Sequence, residues 1–522
     1  MTKLKLCSTA ISYVLIFMLI QSCAQKQNDG ASYQVGGAYL HFPNKLTPLA
    51  PHDVDIALKT TLNREKKFDQ VQRLFEVLSW QNFVALNWPT DEAGKPKNKI
   101  DEFGDAVWNG WKESYEVYQS NGAKPLPWGE HSLPSNFNVA EYNSTGVDKI
   151  LFRVNGAGIH SKANVDDEID QAFTGPIWDQ NGNILRYEVL MNESEFDYLV
   201  SNTLYNIDGQ IAFSKSDKKL VFPSANREEV GAIELKLAWK IIDEKHDIPS
   251  RFYLQNAWVY NEDGTYSKAL VGMVGMHISL KTQSSPQWIW ATFEHVDNLE
   301  ANPLLSVDGK ALKPLFYDPN CQICPVNVYP DLKGDYTQDS QNEKRNQIQR
   351  VLPLTKSTQD LNASVQEILK RNNSVLQYYQ LIGTQWPTDP TSTPYPVSGH
   401  TDKNPPKLPE AVTNKSGGNP TPVYLTNMVM ETYFQGATTT GKGNEFFNTK
   451  LGNIEAWHQI QGFKENGTNT QRIFGTEGCM GCHYSAAIAT GVDKDGAAIY
   501  GAANTADFSW LLQLKAKFVS DK

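Results

Sequence analysis

The stretch Cys479-Met-Gly-Cys482-His483 has the residue types and the spacing that attach a c-type haem. Each thiol can add to one vinyl group of the porphyrin, and the adjacent imidazole can bind the iron from the proximal side. All three residues are needed, because Cys-x-x-Cys alone also suits a disulfide, a redox dithiol or half of a zinc site. The motif therefore predicts one covalently bound haem c, with Cys479 and Cys482 as attachment points and His483 as axial iron ligand.

The distal side of such a haem is less well defined by the sequence. No Met or His follows His483 in the remaining 39 residues, so a distal protein ligand must precede the motif. The nearest candidates are Met428, Met430 and His458. A Met ligand would raise the reduction potential and a second His would usually lower it. An open or water-bound position would instead permit ligand binding or peroxide chemistry.

A second Cys-x-x-Cys pair, Cys321 and Cys324, is followed by Pro325 and so lacks a proximal ligand. In an oxidising compartment the favoured interpretation is a local disulfide. A redox-active pair and a metal site are the alternatives.

A further group of candidates lies where the sequence alternates as strands do. His295 and Asp297 would point to one face of a strand, where the carboxylate could orient the imidazole. His277 lies on the partner strand of a predicted hairpin, so the three residues are candidates for an acid–base or metal cluster. The favoured alternative is a buried polar network that fixes the sheet.

The N-terminus has the features of a bacterial lipoprotein signal peptide. A short positive region precedes an apolar run, Leu6 to Ile20, which is too short for a good transmembrane helix. The run ends in Ile20-Gln-Ser-Cys23, which resembles a lipobox, so residues 1–22 are predicted to be removed and Cys23 to carry lipid. An ordinary signal peptide with an unmodified Cys23 is the alternative. We expect an exported protein, periplasmic or on the cell surface, anchored through lipid in the outer membrane.

The acidic composition gives no support for nucleic-acid binding. The formal net charge is −10, and loss of the two lysines of the signal peptide makes it −12. The stretch Gly436 to Gly443 approaches the phosphate-binding pattern G-x-x-x-x-G-K-[ST], but it ends in Gly where a hydroxyl should bind Mg²⁺. No nucleic-acid partner and no nucleotide are expected.

The elements that must position these residues indicate an α+β fold. A tether at 23–65 leads into a large domain at 66–386, whose β-rich part includes the alternating run Ile233 to Ile241. A hairpin follows, with a longer loop predicted at 282–286. Flanking helices are predicted from apolar spacing and cap residues at 66–87, 105–119 and 357–369.

The C-terminal region is predicted to be a separate unit. Residues 387–422 contain nine prolines and form a Pro-rich linker. Residues 423–522 would then be a small helical cytochrome c-like module that holds the haem, with helices near 425–434, 444–461 and 506–517.

Several phrases resemble a family of bacterial exported proteins described as cytochrome c family proteins. They are Gly275-Met-His-Ile-Ser-Leu-Lys-Thr282, Pro286-Gln-Trp-Ile-Trp-Ala-Thr-Phe-Glu-His-Val-Asp-Asn298, Gly231-Ala-Ile-Glu-Leu-Lys-Leu-Ala-Trp239, Trp80-Gln-Asn-Phe-Val-Ala-Leu-Asn-Trp-Pro89, and the C-terminal haem motif followed by Ala506-Asp-Phe-Ser-Trp-Leu-Leu512. The resemblance implies haem c held by Cys479 and Cys482, with His483 as axial ligand and electron transfer as the activity. It identifies neither a distal ligand nor a substrate.

The sequence thus predicts a lipoprotein cytochrome that exchanges single electrons with a redox protein or a respiratory enzyme. Two alternatives stay open. One is a haem enzyme, for example peroxidase-like, with an open distal site. The other is a non-redox surface binding protein in which the cysteines serve structure.

Overall fold

The computed structural model describes a large part of the chain. The described residues are 38–134, 137, 139, 149–151, 177–226, 229–261, 265–321, 327, 345–350, 353–387, 425–432, 479, 483, 486–502 and 505–519. The predicted signal peptide with Cys23, most of the Pro-rich linker, and the predicted helix at 444–461 lie outside them.

The described residues form a mixed α+β structure around one curled sheet. The helices are α1 (Ile56–Arg64), α2 (Phe68–Leu86), α3 (Ser114–Val117), α4 (Glu193–Ser201), α5 (Ile207–Ser214), α6 (Lys356–Arg371) and α7 (Leu511–Leu514). The strands of the large sheet are β1 (Lys112–Glu113), β2 (Lys149–Leu151), β3 (Arg186–Met191), β4 (Ile233–Ile241), β5 (Leu254–Tyr260), β6 (Tyr266–Thr282), β7 (Ser285–His295) and β10 (Tyr379–Gln385). Two small hairpins join β8 (Ser306–Val307) to β9 (Lys310–Ala311), and β11 (Ala489–Val492) to β12 (Ala498–Tyr500).

The long strand β6 causes the sheet to curl. One edge of β6 pairs with β4, which continues to β3 and β1. The other edge pairs first with β5 and then with β7, so the sheet divides along a single strand. All pairings in this sheet are antiparallel except that of β2 with β5.

The predicted strands around this hairpin are confirmed, but the predicted loop is wrong. Thr282 pairs directly with Ser285, so β6 and β7 are joined by a tight turn of two residues. Asp53 accepts hydrogen bonds from the backbone N–H and the hydroxyl of Ser284, at 2.9 and 2.5 Å. The carboxylate of Asp53 thus provides an acceptor for the backbone N–H and the hydroxyl of Ser284 in the turn. With these groups satisfied, the strands can extend to Thr282 and Ser285.

Helices α2 and α6 cover one face of the sheet and form the helix-side core. The predicted helix at 66–87 is confirmed as α2, with Val71, Phe75 and Leu78 fully buried. Phe83 stacks on Phe293 of β7, with ring centroids 4.1 Å apart. The apolar stripe of α2 therefore packs on the alternate residues of β7 that face it.

The predicted helix at 105–119 is wrong. The segment contains a 3-10 turn at Val107–Gly110, the short strand β1 and the single turn α3. Trp108 donates its indole N–H to Asn87, and a reciprocal capping box between Glu113 and Glu116 restarts the backbone at α3. Aromatic spacing suggested one helix, but these contacts hold the aromatic residues on separate short elements.

The opposite face of the sheet is covered by α4, α5 and the described C-terminal residues, which share one hydrophobic core. Buried members of this opposite-face core include Leu204, Ile207, Trp288, Trp290, Ala486, Ile488, Phe508, Leu511 and Leu512. Gln210 of α5 joins the segments, because its side chain donates to the carbonyls of Leu204 and Leu512 and accepts from the N–H of Ala489.

The described C-terminal residues are less helical than the sequence predicted. Residues 428–430 form a turn where a helix was expected, and the helix predicted at 506–517 is reduced to α7. Asp507 and Phe508 have positive φ angles of 47° and 72°, which an α-helix excludes. Asp507 is held in this conformation by an ion pair with Lys281 and by the indole N–H of Trp288, which donates to its carbonyl.

Candidate functional site

The chemistry-bearing residues gather on the opposite face of β4, β6 and β7. Every second residue of a strand points to the same face, so the register defines three rows across these strands. The end row is Glu234, Ser279 and Trp290, the middle row is Lys236, His277 and Thr292, and the far row is Ala238, Gly275 and Glu294.

The end row carries the C-terminal part of the chain. The imidazole of His483 lies against the indole of Trp290, with ring centroids 4.4 Å apart and an interplanar angle of 49°. The hydroxyl of Ser509 donates to Glu234 at 3.0 Å. The haem motif is therefore held on strand β7 of the large sheet.

The far row is covered by residues 425–432. The backbone N–H of Met428 donates to Glu294 at 2.7 Å. Gly275 is needed here, because a Cβ at this position would lie 2.7 Å from a methyl group of Val429. The middle row, with His277, thus lies at the junction between the two covering segments.

The hydrogen bonding of His483 leaves one nitrogen able to bind a metal. Its Nδ1 lies 2.8 Å from the carbonyl oxygen of Phe508. A carbonyl only accepts, so Nδ1 carries the proton and Nε2 of the neutral ring keeps its lone pair. An axial histidine requires this arrangement, in which an acceptor fixes one nitrogen and leaves the other for the metal.

The surroundings of His483 keep the ring neutral near pH 7. Burial lowers the pKa of His483 to about 4, and the charges of Lys236 and His277 act in the same direction. The hydrogen bond to Phe508 and the charge of Glu431 oppose the shift without reversing it. The residues present therefore fit a haem iron on His483.

Cys479 and His483 both have helical conformation. Cys479 is partly buried against the opposite-face core. Cys482 lies outside the described residues, so the second attachment point stays a prediction.

His277 forms a partly buried pair with a carboxylate. Its Nε2 lies 2.6 Å from Glu431, whose second oxygen accepts from the N–H of Asn427 at 2.7 Å. Burial alone would raise the pKa of Glu431, but the charge and the hydrogen bond of His277 lower it below its usual range. Nδ1 of His277 is buried and has no hydrogen-bond partner in the described part of the chain.

Acidic side chains with raised pKa values lie in the end row and beside it. Burial raises the pKa of Glu234 to about 7, which the hydrogen bond from Ser509 partly offsets. Burial also raises the pKa of Glu195 well above its usual range, and the nearby charges of Glu234 and Asp507 add to this shift. Both oxygens of Glu195 are buried without a hydrogen-bond partner among the described residues, so burial favours the neutral form of this side chain over the charged one.

The structure does not bring His277, His295 and Asp297 together. His277 pairs with Thr292, which is three residues from His295, so the two imidazoles lie on opposite faces of the sheet. Nε2 of His295 donates to the carbonyl of Arg251 at 2.9 Å, and Nδ1 accepts from the N–H of Asp297 at 3.1 Å.

Asp297 is also fully engaged. It receives two hydrogen bonds of 2.6 Å from the guanidinium of Arg251. Burial lowers the pKa of His295 to about 4, so the ring stays neutral in this network. His295 and Asp297 therefore form a polar network that joins β7 to the segment before β5.

The remaining candidate residues have separate environments. Met428 and Met430 are fully buried in a third hydrophobic cluster with Tyr187 and Val274, away from Cys479. His458 lies outside the described residues. Cys321 is in a disulfide bond, but its predicted partner Cys324 is not among the described residues.

Two negative results apply to the described ranges alone. Within them, no group of three or more His, Cys, Asp or Glu side chains could hold a metal ion by itself. Over the same residues, no helix is long and apolar enough to cross a bilayer.

Sequence reasoning missed the partners of the motif. Trp290 and Phe508 contact His483, and Glu431 contacts His277. Trp290 and Phe508 lie in phrases that carry the family resemblance, but those phrases assign neither residue a role. The alternation of β7 places Trp290 and Thr292 on one face, and no local signal pointed to Glu431.

Comparison with known proteins adds no relative. No protein-family model, no curated protein sequence and no solved structure matches this chain.

Proposed function

We propose that this protein is an exported lipoprotein that carries one covalent haem c and transfers single electrons. The observation that supports this most directly is the bonding of His483 within the C-x-x-C-H motif. Its Nδ1 is committed to the carbonyl of Phe508, so its Nε2 has a free lone pair in a ring that stays neutral.

The chain's own residues supply the rest of the proposed site. Cys479 and Cys482 would hold the porphyrin through thioether bonds, and His483 would bind the iron. When bound, the haem supplies a centre that alternates between the ferric and ferrous states, one electron at a time. Trp290 fixes the plane of the His483 ring, and the opposite-face core supplies an apolar wall against which a porphyrin can pack.

The proposed setting follows from the N-terminal and linker sequences. Lipid on Cys23 would hold the protein at the outer membrane, facing the periplasm or the cell surface. A Pro-rich segment at 387–422 would lead to a cytochrome c-like module at 423–522. The large domain would dock a redox protein or a respiratory donor or acceptor.

Covalent haem is the property to test first. The full-length protein would be produced in a bacterial periplasm that contains haem c attachment enzymes, and then denatured and assayed by pyridine haemochrome. We expect one thioether-bound haem per chain in the wild type and none in the variant C479A/C482A. The matched control C321A/C324A removes the other Cys-x-x-Cys pair and should keep the haem.

The outcome that contradicts the proposal is a wild-type protein with no covalent haem after exposure to the attachment enzymes. Loss of haem in C321A/C324A together with its retention in C479A/C482A would also contradict it, because the attachment site would then be the other pair.

A further inference from the structure

We infer that His277 is the second axial ligand of the haem iron, so that the iron is bound by two histidines. The inference rests on the proposed function, because it requires a haem on His483. It deepens that function, because an iron with two histidine ligands has no open position for a substrate. Such a site is suited to electron transfer and not to catalysis at the iron.

The first observation is the free nitrogen of His277. Its Nε2 is committed to Glu431, and its Nδ1 is buried with no hydrogen-bond partner in the described part of the chain. A buried imidazole nitrogen without a partner costs free energy, because it loses its hydrogen bond to water and gains none in return. A metal bond at Nδ1 would remove that cost.

The second observation is the position of the two imidazoles on the sheet. His483 lies on Trp290, and His277 lies directly across from Thr292, two residues further along β7. His277 and the residue that contacts His483 therefore lie in adjacent rows on one face of the sheet, which are offset by ~7 Å along the strand direction. Two imidazoles on adjacent rows of one face are placed so that both can be directed at the same bound group.

The third observation is that the segment which contains Glu431 is anchored on the middle row. The side-chain amide of Asn427 donates to the hydroxyl of Thr292 at 2.8 Å, and its backbone N–H donates to Glu431 at 2.7 Å. Glu431 is thereby fixed beside His277, in the row next to the one that carries His483.

The fourth observation is the way each ring is held. His483 donates to a backbone carbonyl, and His277 donates to a carboxylate that is itself fixed by the N–H of Asn427. Metal-binding histidines are oriented in these two ways, by a carbonyl or by a carboxylate on the other nitrogen. Glu431 is thus a positioning residue, which acts on the iron through His277.

The distal candidates named from the sequence are less suited to this position. Met428 and Met430 are buried in the third cluster, beside Tyr187 and Val274. Tyr187 donates to the carbonyl of Val429 at 2.8 Å, which fixes the backbone between the two Met residues. Their side chains fill a hydrophobic core that does not include Cys479.

The experiment compares spin states in the full-length holoprotein. Pyridine haemochrome on each denatured variant first establishes that haem is attached. Ferric absorption and electron paramagnetic resonance spectra then report the ligands. We expect a low-spin, six-coordinate wild type, and we expect H277A to become high-spin with its haem retained. Added imidazole should return H277A to the low-spin form.

A second variant distinguishes loss of the iron ligand from misfolding of the protein. H277M offers a thioether in place of the imidazole, so it should stay low-spin with the spectrum of a His–Met haem and a higher midpoint potential. The controls M428L and M430L keep the packing volume and remove the sulfur, and both should keep the wild-type spectrum.

The inference is overturned if H277A retains its haem and stays low-spin, or if the wild type is high-spin. It is also overturned if M428L or M430L becomes high-spin, since that would identify a Met ligand. A wild type without covalent haem is a different result, because it removes the proposed function before the ligand question arises.

Discussion

The imidazole of His483 lies against the indole of Trp290, with 4.4 Å between the ring centroids. The contact joins the C-terminal haem motif to strand β7, near the middle of the chain. Trp290 is itself fixed, since its N–H donates to the carbonyl of Gln287 at 3.2 Å. A side chain of the large sheet thus sets the orientation of the proposed iron ligand.

Replacement of Trp290 should weaken both the core and the site. We expect Trp290→Ala to lower the free energy of unfolding by about 3–5 kcal/mol, because a buried Trp side chain leaves a large cavity. Trp290→Phe keeps an aromatic ring beside His483 and should cost much less. Urea unfolding measured by circular dichroism checks the difference. Equal losses for the two variants would show that an aromatic ring beside His483 contributes nothing to stability.

Substitution of Gly275 tests whether residues 425–432 pack closely on the far row. A Cβ at this position would lie 2.7 Å from a methyl group of Val429, so Gly275→Ala should displace residues 425–432. Overpacking of this kind costs about 1–3 kcal/mol. The double variant Gly275→Ala/Val429→Ala removes the clashing methyl groups and should recover part of the loss. Thermal unfolding of Gly275→Ala, Val429→Ala and the double variant measures this coupling, and purely additive losses would argue against the contact.

Local patterns predicted the regular elements of this fold well. Strands β4 to β7 have alternating or apolar sequences, and α2 has a stripe at helical spacing, so each shows its structure within a short window. The helix predicted at 105–119 failed because its aromatic residues satisfy the same spacing while they contact partners outside the segment. The hydrogen bond from Trp108 to Asn87 is one such contact.

The candidate site was predictable only where chemistry is local. C-x-x-C-H named Cys479 and His483 because the motif is contiguous. His277 and His295 were candidates for one cluster because both lie on one hairpin, although a buried polar network was the favoured interpretation. The register decides which face of the sheet each residue occupies. The register also sets His277 beside the segment that contains Glu431, 154 residues away along the chain. Asp507 likewise pairs with Lys281, which is 226 residues distant along the chain. The helix predicted at 506–517 does not form at Asp507, and this distant partner could not be read from the local sequence.

Glu234 should make the stability of the protein depend on pH. Burial raises its pKa from 4.5 to about 7, so the folded protein holds a proton that the unfolded chain releases. This contribution to stability is complete below pH 4.5 and is lost as the pH rises through about 7. Glu234→Gln mimics the neutral acid, so it should be more stable than the wild type at about pH 8, by about 3 kcal/mol, and similar to it near pH 4.

The measurement is urea unfolding of both proteins across that pH range. Glu244→Gln is the matched control, because Glu244 is exposed and its removal should leave the pH dependence unchanged. A Glu234→Gln curve parallel to that of the wild type would show that Glu234 does not hold the proton.

Glu431 should tune the proposed iron centre through His277. Its carboxylate accepts from Nε2 of His277 at 2.6 Å, which makes the imidazole a stronger electron donor. Glu431→Gln keeps an oxygen acceptor but removes the charge, so we expect the midpoint potential to rise while the haem stays low-spin. Spectroelectrochemical titration of the holoprotein measures the shift. Glu234→Gln at about pH 8 removes a negative charge from the same sheet face without a contact to His277, so it should shift the potential less. Equal shifts in the two variants would mean that Glu431 acts only through space, and an unchanged potential in Glu431→Gln would mean that it does not act on the iron.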